Sequence, residues 1–380
     1  MQVLPVASGK GGVGKSLVAA NLSIALAQAG KKVIIADLDL GGSNLHTVLG
    51  MRAPAAGIGT FLNRKNVDFS EIVLSTDYKN LEFIPGDAEI PGIANLKSHQ
   101  KRTLTRKMLE LEADYLVLDL GSGTTFNTLD FFLLSSRGII VTVPSLTAIL
   151  NAYLFLKNAV FRLIDHSFPA KGPAGEYLKS LRENGSGLQR AYIPQILPEL
   201  RVRDPEVYEK FIRQRDAFQP LLIMNMLEDP KDGVKAGKIR RSCIHYLGID
   251  LDHLGVIYRD TLQDAALSSG LPIIVYKPQS VLAQAIMRIA DKVMEQTPGD
   301  FPPADIDDVD ENYLTADMEA EIDFETKIQY IQDLLHSGAL SEGDLFETIR
   351  AQQFEIAGLR KENNFLKSKI VKASEAVFSQ

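Results

Sequence analysis

The chain has 380 residues, 45% hydrophobic and 23% charged, with a formal net charge of −7. This balance excludes a disordered or collagen-like chain, and the single cysteine, Cys243, excludes an intramolecular disulfide framework and a cysteine-only metal site within one chain. No run of ~20 uncharged apolar residues marks a membrane span, and the opening MQVLPVASGKGG lacks the basic-then-apolar order of a signal peptide, so a cytoplasmic location is expected.

Short runs rich in Val, Ile and Leu alternate with amphipathic stretches as far as about residue 296. The runs are Val3–Ala7, Lys32–Asp37, Leu81–Pro85, Tyr115–Leu120, Gly138–Pro144, Leu221–Met226, Leu254–Tyr258 and Pro272–Tyr276. Their near-continuous apolar character is that of strands buried on both faces. Strand and helix in alternation predict an α/β fold, a mostly parallel twisted sheet with helices on both faces and right-handed crossovers. Pro5 is a blemish within the first strand, because proline cannot donate a ladder hydrogen bond. Ser16–Ala29 reads as a helix closed by Gly30. Residues 158–219 are too long for one crossover and carry turn signals at 172–175 and 184–187, so a helical insertion is expected there. A helix over Ser280–Gln296 closes the predicted sheet domain, residues 1–296.

Gly9-Lys10-Gly11-Gly12-Val13-Gly14-Lys15-Ser16 fits the phosphate-binding pattern G-x-x-x-x-G-K-[ST], between a predicted strand and a predicted helix. Glycines let backbone N–H groups converge on phosphate oxygens, and the helix N-terminus favours the anion. Lys15 is expected on the β- and γ-phosphates of ATP and the Ser16 hydroxyl on Mg²⁺. The strand Tyr115–Leu120 carries Asp119, a Walker B arrangement that would hold the same Mg²⁺. Asp37 and Asp39 end the second strand two residues apart, hence on one side of it, at the sheet edge where open α/β folds bind ligands. One can serve the metal shell while the other orients the attacking water; the alternative is that one caps a helix near Asn44.

SGKGGVGKS with its additional Lys10, DLDLGGSNLHTVLG at 37–50 and LVLDLGSG at 116–123 together resemble the deviant Walker A ATPases, the MinD/ParA group. Pro144–Ile149 through Tyr153 and Lys157, and Asp260 to Pro272, are most similar to its MinD/FlhG branch. The resemblance covers about residues 1–157 and 220–296. It implies an ATP-dependent homodimer in which Lys10 crosses to the partner's phosphates; the plain alternative is a solvated loop lysine. It further implies that Asp39 positions the water, which leaves Asp37 to the metal, and that Asn225 reads the adenine edge. Ser145 and Asn151 stand where that branch often carries acidic residues. The function implied is a positioning switch cycling with ATP hydrolysis. The other readings are a non-hydrolysing scaffold and an iron–sulfur carrier, the latter opposed by the lone Cys243.

Lys235, Lys238, Arg240 and Arg241, with His245 beyond, form a basic cluster that would suit nucleoid DNA or an acidic membrane surface; a solvated helix face is the alternative. Residues 297–380 carry 18 acidic and 7 basic side chains, and no Lys or Arg occurs from 297 to 326, the composition of a linker. Helical patterning resumes at Phe324–Leu335. From Ser341, a heptad runs through Ile349, Ile356, Asn363, Ile370 and Val377, with Leu345, Gln352, Leu359, Leu366 and Ala373 in the second core register. It predicts a coiled coil, self-paired or paired with a partner's helix. A membrane-anchoring helix using Phe365, Ile370, Val371 and Phe378 is the alternative.

Overall fold

The structure, a computed structural model, describes residues 1–64, 67–86, 96–169, 171–183 and 192–295, with single helical positions between 318 and 353. Its strands are β1 (Gln2–Ala7), β2 (Val33–Leu38), β3 (Leu74–Ser75), β4 (Leu81–Ile84), β5 (Tyr115–Leu120), β6 (Ile139–Thr142), β7 (Leu221–Leu227) and β8 (Asp252–Tyr258). They form one sheet in the order β3-β4-β2-β5-β1-β6-β7-β8. Every ladder is parallel except that of β3 on β4. Successive residues of a strand face opposite sides, and both sides are apolar. Leu4, Val6, Val33, Ile35 and Val117 belong to one core, and Ile34, Ala36, Leu116 and Leu118 to the other. Pro5 is tolerated within this sheet because β1 pairs with β6 only from Val6 onward, so at Pro5 a ladder exists on one side alone.

The helices of the first half are α1 (Lys15–Gln28), α2 (Leu45–Val48), α3 (Ile58–Asn63), α4 (Ser98–Leu109), α5 (Phe126–Phe132) and α6 (Leu146–Ser167). Those of the second half are α7 (Pro173–Glu183), α8 (Ile193–Arg203), α9 (Pro205–Asp216), α10 (Val234–Leu247), α11 (Leu262–Ser268), α12 (Ile273–Tyr276) and α13 (Val281–Glu295). The core of Leu4 and Val6 is closed by α1, α11, α12 and α13, and the opposite core by α4 to α10. α6 carries the chain unbroken from 146 to Ser167, through residue 158, so the extra helices of the long crossover are α7, α8 and α9. By length and hydropathy alone α6 could cross a membrane. Here its Phe155, Leu156, Ala159, Val160 and Ile164 are buried in the core.

Pro272–Tyr276, expected as a strand, is instead the single-turn helix α12. Ile273 and Ile274 are buried beside α1, and the Ile274 N–H donates to Asn21 Oδ1 at 3.1 Å. A four-residue apolar run does not distinguish a strand from a buried helical turn. The chain divides into two compact units, Met1–Phe324 and Glu325–Gln380. In the second, Phe346, Ile349 and Arg350 are among the described helical positions, and Phe346 and Ile349 are exposed. The remaining heptad positions, Asn363 among them, lie outside the described residues.

Candidate functional site

Register brings the motifs together. Val6 of β1 lies opposite Asp119 of β5, and Asp119 lies opposite Asp37 of β2. The loop leaving β1, the Walker B aspartate and the β2 carboxylates thus share one edge of three adjacent strands. The loop turns through left-handed backbone at Gly12 (φ 79°) and Gly14 (φ 82°) before α1 begins at Lys15. A Cβ on Gly14 would lie 2.3 Å from Asn225 Nδ2, and one on Gly9 only 2.1 Å from the backbone oxygen of Asn151 on α6. The loop is therefore clamped between β7 and α6. Gly9→Ala is expected to cost ~2 kcal/mol or more, since backbone must move. Gly12→Ala, strained in φ but facing open space, is expected to cost ~1 kcal/mol. Urea unfolding of the two variants checks the order.

Lys15 is 7% exposed, and its ammonium lies 2.5 Å from Asp119 Oδ1 and 3.2 Å from Ser16 Oγ. Burial pushes the Asp119 carboxyl up, and the Lys15 ammonium opposes that shift. The second oxygen, Asp119 Oδ2, is buried with no hydrogen-bond partner among the described residues. A buried unpaired carboxylate oxygen close to the Ser16–Lys15 pair is the hard donor chemistry that suits Mg²⁺.

Asp37 is fully buried. Its Oδ1 accepts from the Asp39 N–H at 3.1 Å, and its Oδ2 from the Ser43 hydroxyl at 2.7 Å and the Leu45 N–H at 3.1 Å. Leu45 opens α2, so Asp37 performs the helix-capping role that the sequence left open. It also ties the loop 39–45 to β2. Burial, then the charge of Asp119, pushes its carboxyl up to about 6, while the bonds from Ser43, Leu45 and Asp39 pull it down. An unfolded aspartate titrates near ~3.9. Between the two values the folded chain keeps a proton that the unfolded chain has lost. The Asp37 contribution is therefore complete below pH ~4 and is lost as pH rises through about 6, on the order of 3 kcal/mol. Nucleotide-free unfolding from pH 4.5 to 7.5, conditions chosen as roughly bracketing that window, should show wild type losing more stability than Asp37→Asn. Parallel profiles would exclude the assignment.

Asp39 follows β2 and is half-buried. A Cβ on Gly121 would sit 3.3 Å from its Oδ1, and one on Gly42 3.7 Å. Its carboxylate therefore hangs beside the loop that leaves the Walker B strand. Gly121 is also near Thr128 of α5, whose hydroxyl lies 2.9 Å from that of Thr125.

The family model described as "ParA: NUBPL iron-transfer P-loop NTPase" matches residues 1–157. The flagellum site-determining protein YlxH of Helicobacter pylori is 27% identical over 270 residues, 64% of this chain and 90% of that protein. The septum site-determining protein MinD of the same organism is 30% identical over 148 residues, 39% of this chain and 54% of that protein. The chain thus spans about half the length of that MinD relative. Among solved structures, MinD from Pyrococcus horikoshii OT3, complexed with Mg-ADP, superposes with a TM-score of 0.52 at 21% identity, covering 77% of this chain and 95% of that one. Residues 1–157 thus match the ParA model of P-loop NTPases, and the chain is similar to the site-determining proteins YlxH and MinD.

Asn225, Lys10 and Ser145 have surroundings that the sequence alone does not reveal. Asn225, expected on adenine, donates from Nδ2 to the Val13 carbonyl at 2.8 Å and so holds the loop itself. A register irregularity in the β7–β8 ladder between Met224 and Leu227, with Met226 at φ 55°, accompanies that placement. Bulges of this kind re-aim side chains beside active sites. No sequence signal announces the left-handed Met226. Lys10 is exposed and its ammonium donates to Thr147 Oγ1 of α6 at 3.3 Å, whereas Lys15 is buried. Ser145 caps α6 by accepting from the Ala148 N–H. Ser122, in the LGSG stretch that follows Asp119, also borders the loop: a Cβ on Gly11 would lie 3.6 Å from its Oγ.

The basic cluster is partly consumed within the fold. The Lys235 ammonium binds the Pro144 carbonyl at 2.9 Å and Asp232 at 2.6 Å. Arg240 makes a two-point pair with Asp250 at 2.7 and 3.0 Å. Lys238 and Arg241 remain exposed. Cys243 is buried and its thiol pushed up by burial, the condition of a small apolar core residue.

Proposed function

We propose that the chain is an Mg²⁺-dependent ATPase that works as a dimerising positioning switch, localising a cellular structure as YlxH and MinD are named for doing. The observation that carries this reading is the convergence of Lys15, Asp119, Asp37 and Asp39 on one sheet edge at the phosphate-binding loop. Lys15 would trade its Asp119 contact for phosphate oxygens, Ser16 and Asp119 would hold the metal with Asp37 behind them, and Asp39 would orient the water. A Mg²⁺ held there would supply charge compensation for the transferred phosphoryl group. Asn225 fixes the loop beneath the nucleotide, with its adenine contact a further role of the same side chain.

The dimer face in this reading lies beside the loop. Leu146, Leu150 and Leu154 stand four residues apart on α6 and are 73%, 51% and 46% exposed. They form an apolar stripe on the helix that carries Thr147, the partner of Lys10. Burial of this stripe against a second copy would bring Lys10 to the partner's phosphates. The heptad tail supplies self-pairing or a partner's docking helix. A membrane, pole or nucleoid as the surface of action belongs to the same proposal. The lone, buried Cys243 gives no support to an iron–sulfur carrier.

The test is ATP turnover together with light scattering. Wild type is expected to dimerise with Mg·ATP and return to monomer as ATP is spent. Asp39→Ala is expected to lose ~10²-fold in turnover and to stay dimeric, because it binds ATP but does not orient the water. Equal turnover by the two proteins would overturn the hydrolytic reading and favour a scaffold.

A further inference from the structure

On the sheet face away from α1, an open groove of about 710 Å³ runs between α4 and the corner where α5 meets α6. One wall is a single face of α4. Ser98, Lys101, Arg102, Thr105, Arg106 and Leu109 line it at helical spacing over three turns, a length of ~16 Å. The opposite wall is Asp130, Leu133 and Leu134 with Arg162 of α6.

The charges are unequal. Asp130 is three-quarters or more buried and serves as the hub: Lys101 binds its Oδ2, and Arg162 reaches it twice, at 2.6 and 3.1 Å. His166 lies 3.3 Å from it, and burial, then the Arg162 charge, holds the imidazole below its usual range. It therefore adds no charge at neutral pH. Arg106 touches Glu110 only at 3.8 Å and both are exposed, a contact of little strength. Arg102 is exposed and has no hydrogen-bond or ion-pair partner among the described residues. Four cations thus face two carboxylates along the groove, and Arg102 and Arg106 have unspent donors. Both walls also carry apolar surface: Leu109 is 48% exposed, and Leu133 and Leu134 are half-buried.

We propose that this groove docks an acidic amphipathic helix of a partner protein, its leucine-type side chains on Leu109, Leu133 and Leu134 and its carboxylates on Arg102 and Arg106. A groove three helical turns long, with leucines on both walls and unspent arginine donors along one of them, matches a helix laid along it. A compact anion would leave the leucines unused. The site is separate from the phosphate-binding loop, and its occupancy is independent of the ATPase reading. It reaches that site through α5, which bears Asp130 in the groove and Thr128 near Gly121.

The probe is a fluorescein-labelled helical peptide with leucines at every third or fourth position and glutamates flanking them, titrated against the full chain without nucleotide. A sister peptide carries lysine in place of each glutamate. The glutamate peptide is expected to bind ~10-fold or more tighter than the lysine peptide and to weaken as salt rises. Arg102→Glu with Arg106→Glu, both exposed positions, should weaken it ~10-fold, and Leu109→Asp should weaken it independently. Circular dichroism of each variant confirms an intact fold. Equal binding of the two peptides, or binding insensitive to the arginine reversals, would overturn the proposal. Two other occupants have their own signatures, and either overturns it. If the peptide binds only when the acidic residues of 300–325 are changed to amides, the chain's own acidic run fills the groove. If the peptide fails but phosphatidylglycerol vesicles sediment with wild type and not with the arginine variant, the groove meets a membrane.

Discussion

Lys15→Ala is expected to reduce ATP turnover by ~10³-fold or more, because phosphoryl transfer rests on positioning and charge stabilisation, and the proposed function assigns both to Lys15. The same substitution has a second consequence that must be separated from the first. Lys15 is the cation beside Asp119, and both are almost wholly buried. Removing it strands a carboxyl in the sheet edge, at a cost of ~3 kcal/mol. The Asp119 carboxyl is already pushed up by burial, and loss of the ammonium raises it further. The variant's stability deficit should therefore shrink as pH falls and Asp119 takes a proton. Asp119→Asn in the Lys15→Ala background should recover most of the stability and none of the turnover. Urea unfolding and phosphate release on the single and double variants check this. Turnover restored along with stability would mean that Lys15 acts through the fold alone.

The sheet and the loop were legible because their signals are local. Val-, Ile- and Leu-rich runs mark strands buried on both faces, and G-x-x-x-x-G-K-S after such a run fixes β1, the loop and α1. Asp37, Asp39 and Asp119 could be placed at one edge because two strands ending in carboxylates beside a P-loop leave few topologies. What was not legible depends on contacts distant in sequence. Leu74–Ser75 is too short a strand to carry a period, and Ile273–Tyr276 too short to reveal that its partner is Asn21, 253 residues away. The different surroundings of the two β2 carboxylates were hidden as well. Only the fold shows that Asp37 is engaged by Ser43 and Leu45 while Asp39 hangs beside Gly121. The Asn225–Val13 bond spans 212 residues and accompanies a left-handed methionine, for which composition and spacing offer no cue.

Mixing inactive Lys10→Ala protein with inactive Asp39→Ala protein is expected to restore turnover. The structure separates the two loop lysines: Lys15 is buried on Asp119, whereas Lys10 points outward to Thr147 Oγ1 beside the exposed Leu146 and Leu150. The proposed function assigns this outward lysine to the site of the other copy. In a symmetric dimer that exchanges Lys10, each site combines one copy's Lys15 and Asp39 with the other copy's Lys10. The Lys10→Ala copy then keeps its own Asp39 and receives an intact Lys10, so one of the two sites in every mixed dimer is whole, and the other lacks both groups. At equal concentrations half of the dimers are mixed, so turnover should reach about a quarter of wild type. If Lys10 served its own loop, both sites of the mixed dimer would lack one group and nothing would be regained. Differently labelled copies, monitored by energy transfer, establish that mixed dimers form. Mixed dimers without recovered turnover would exclude the exchange. Leu150→Asp in either copy should then abolish the recovery by preventing the apolar stripe of α6 from closing, while leaving ATP binding to the monomer intact.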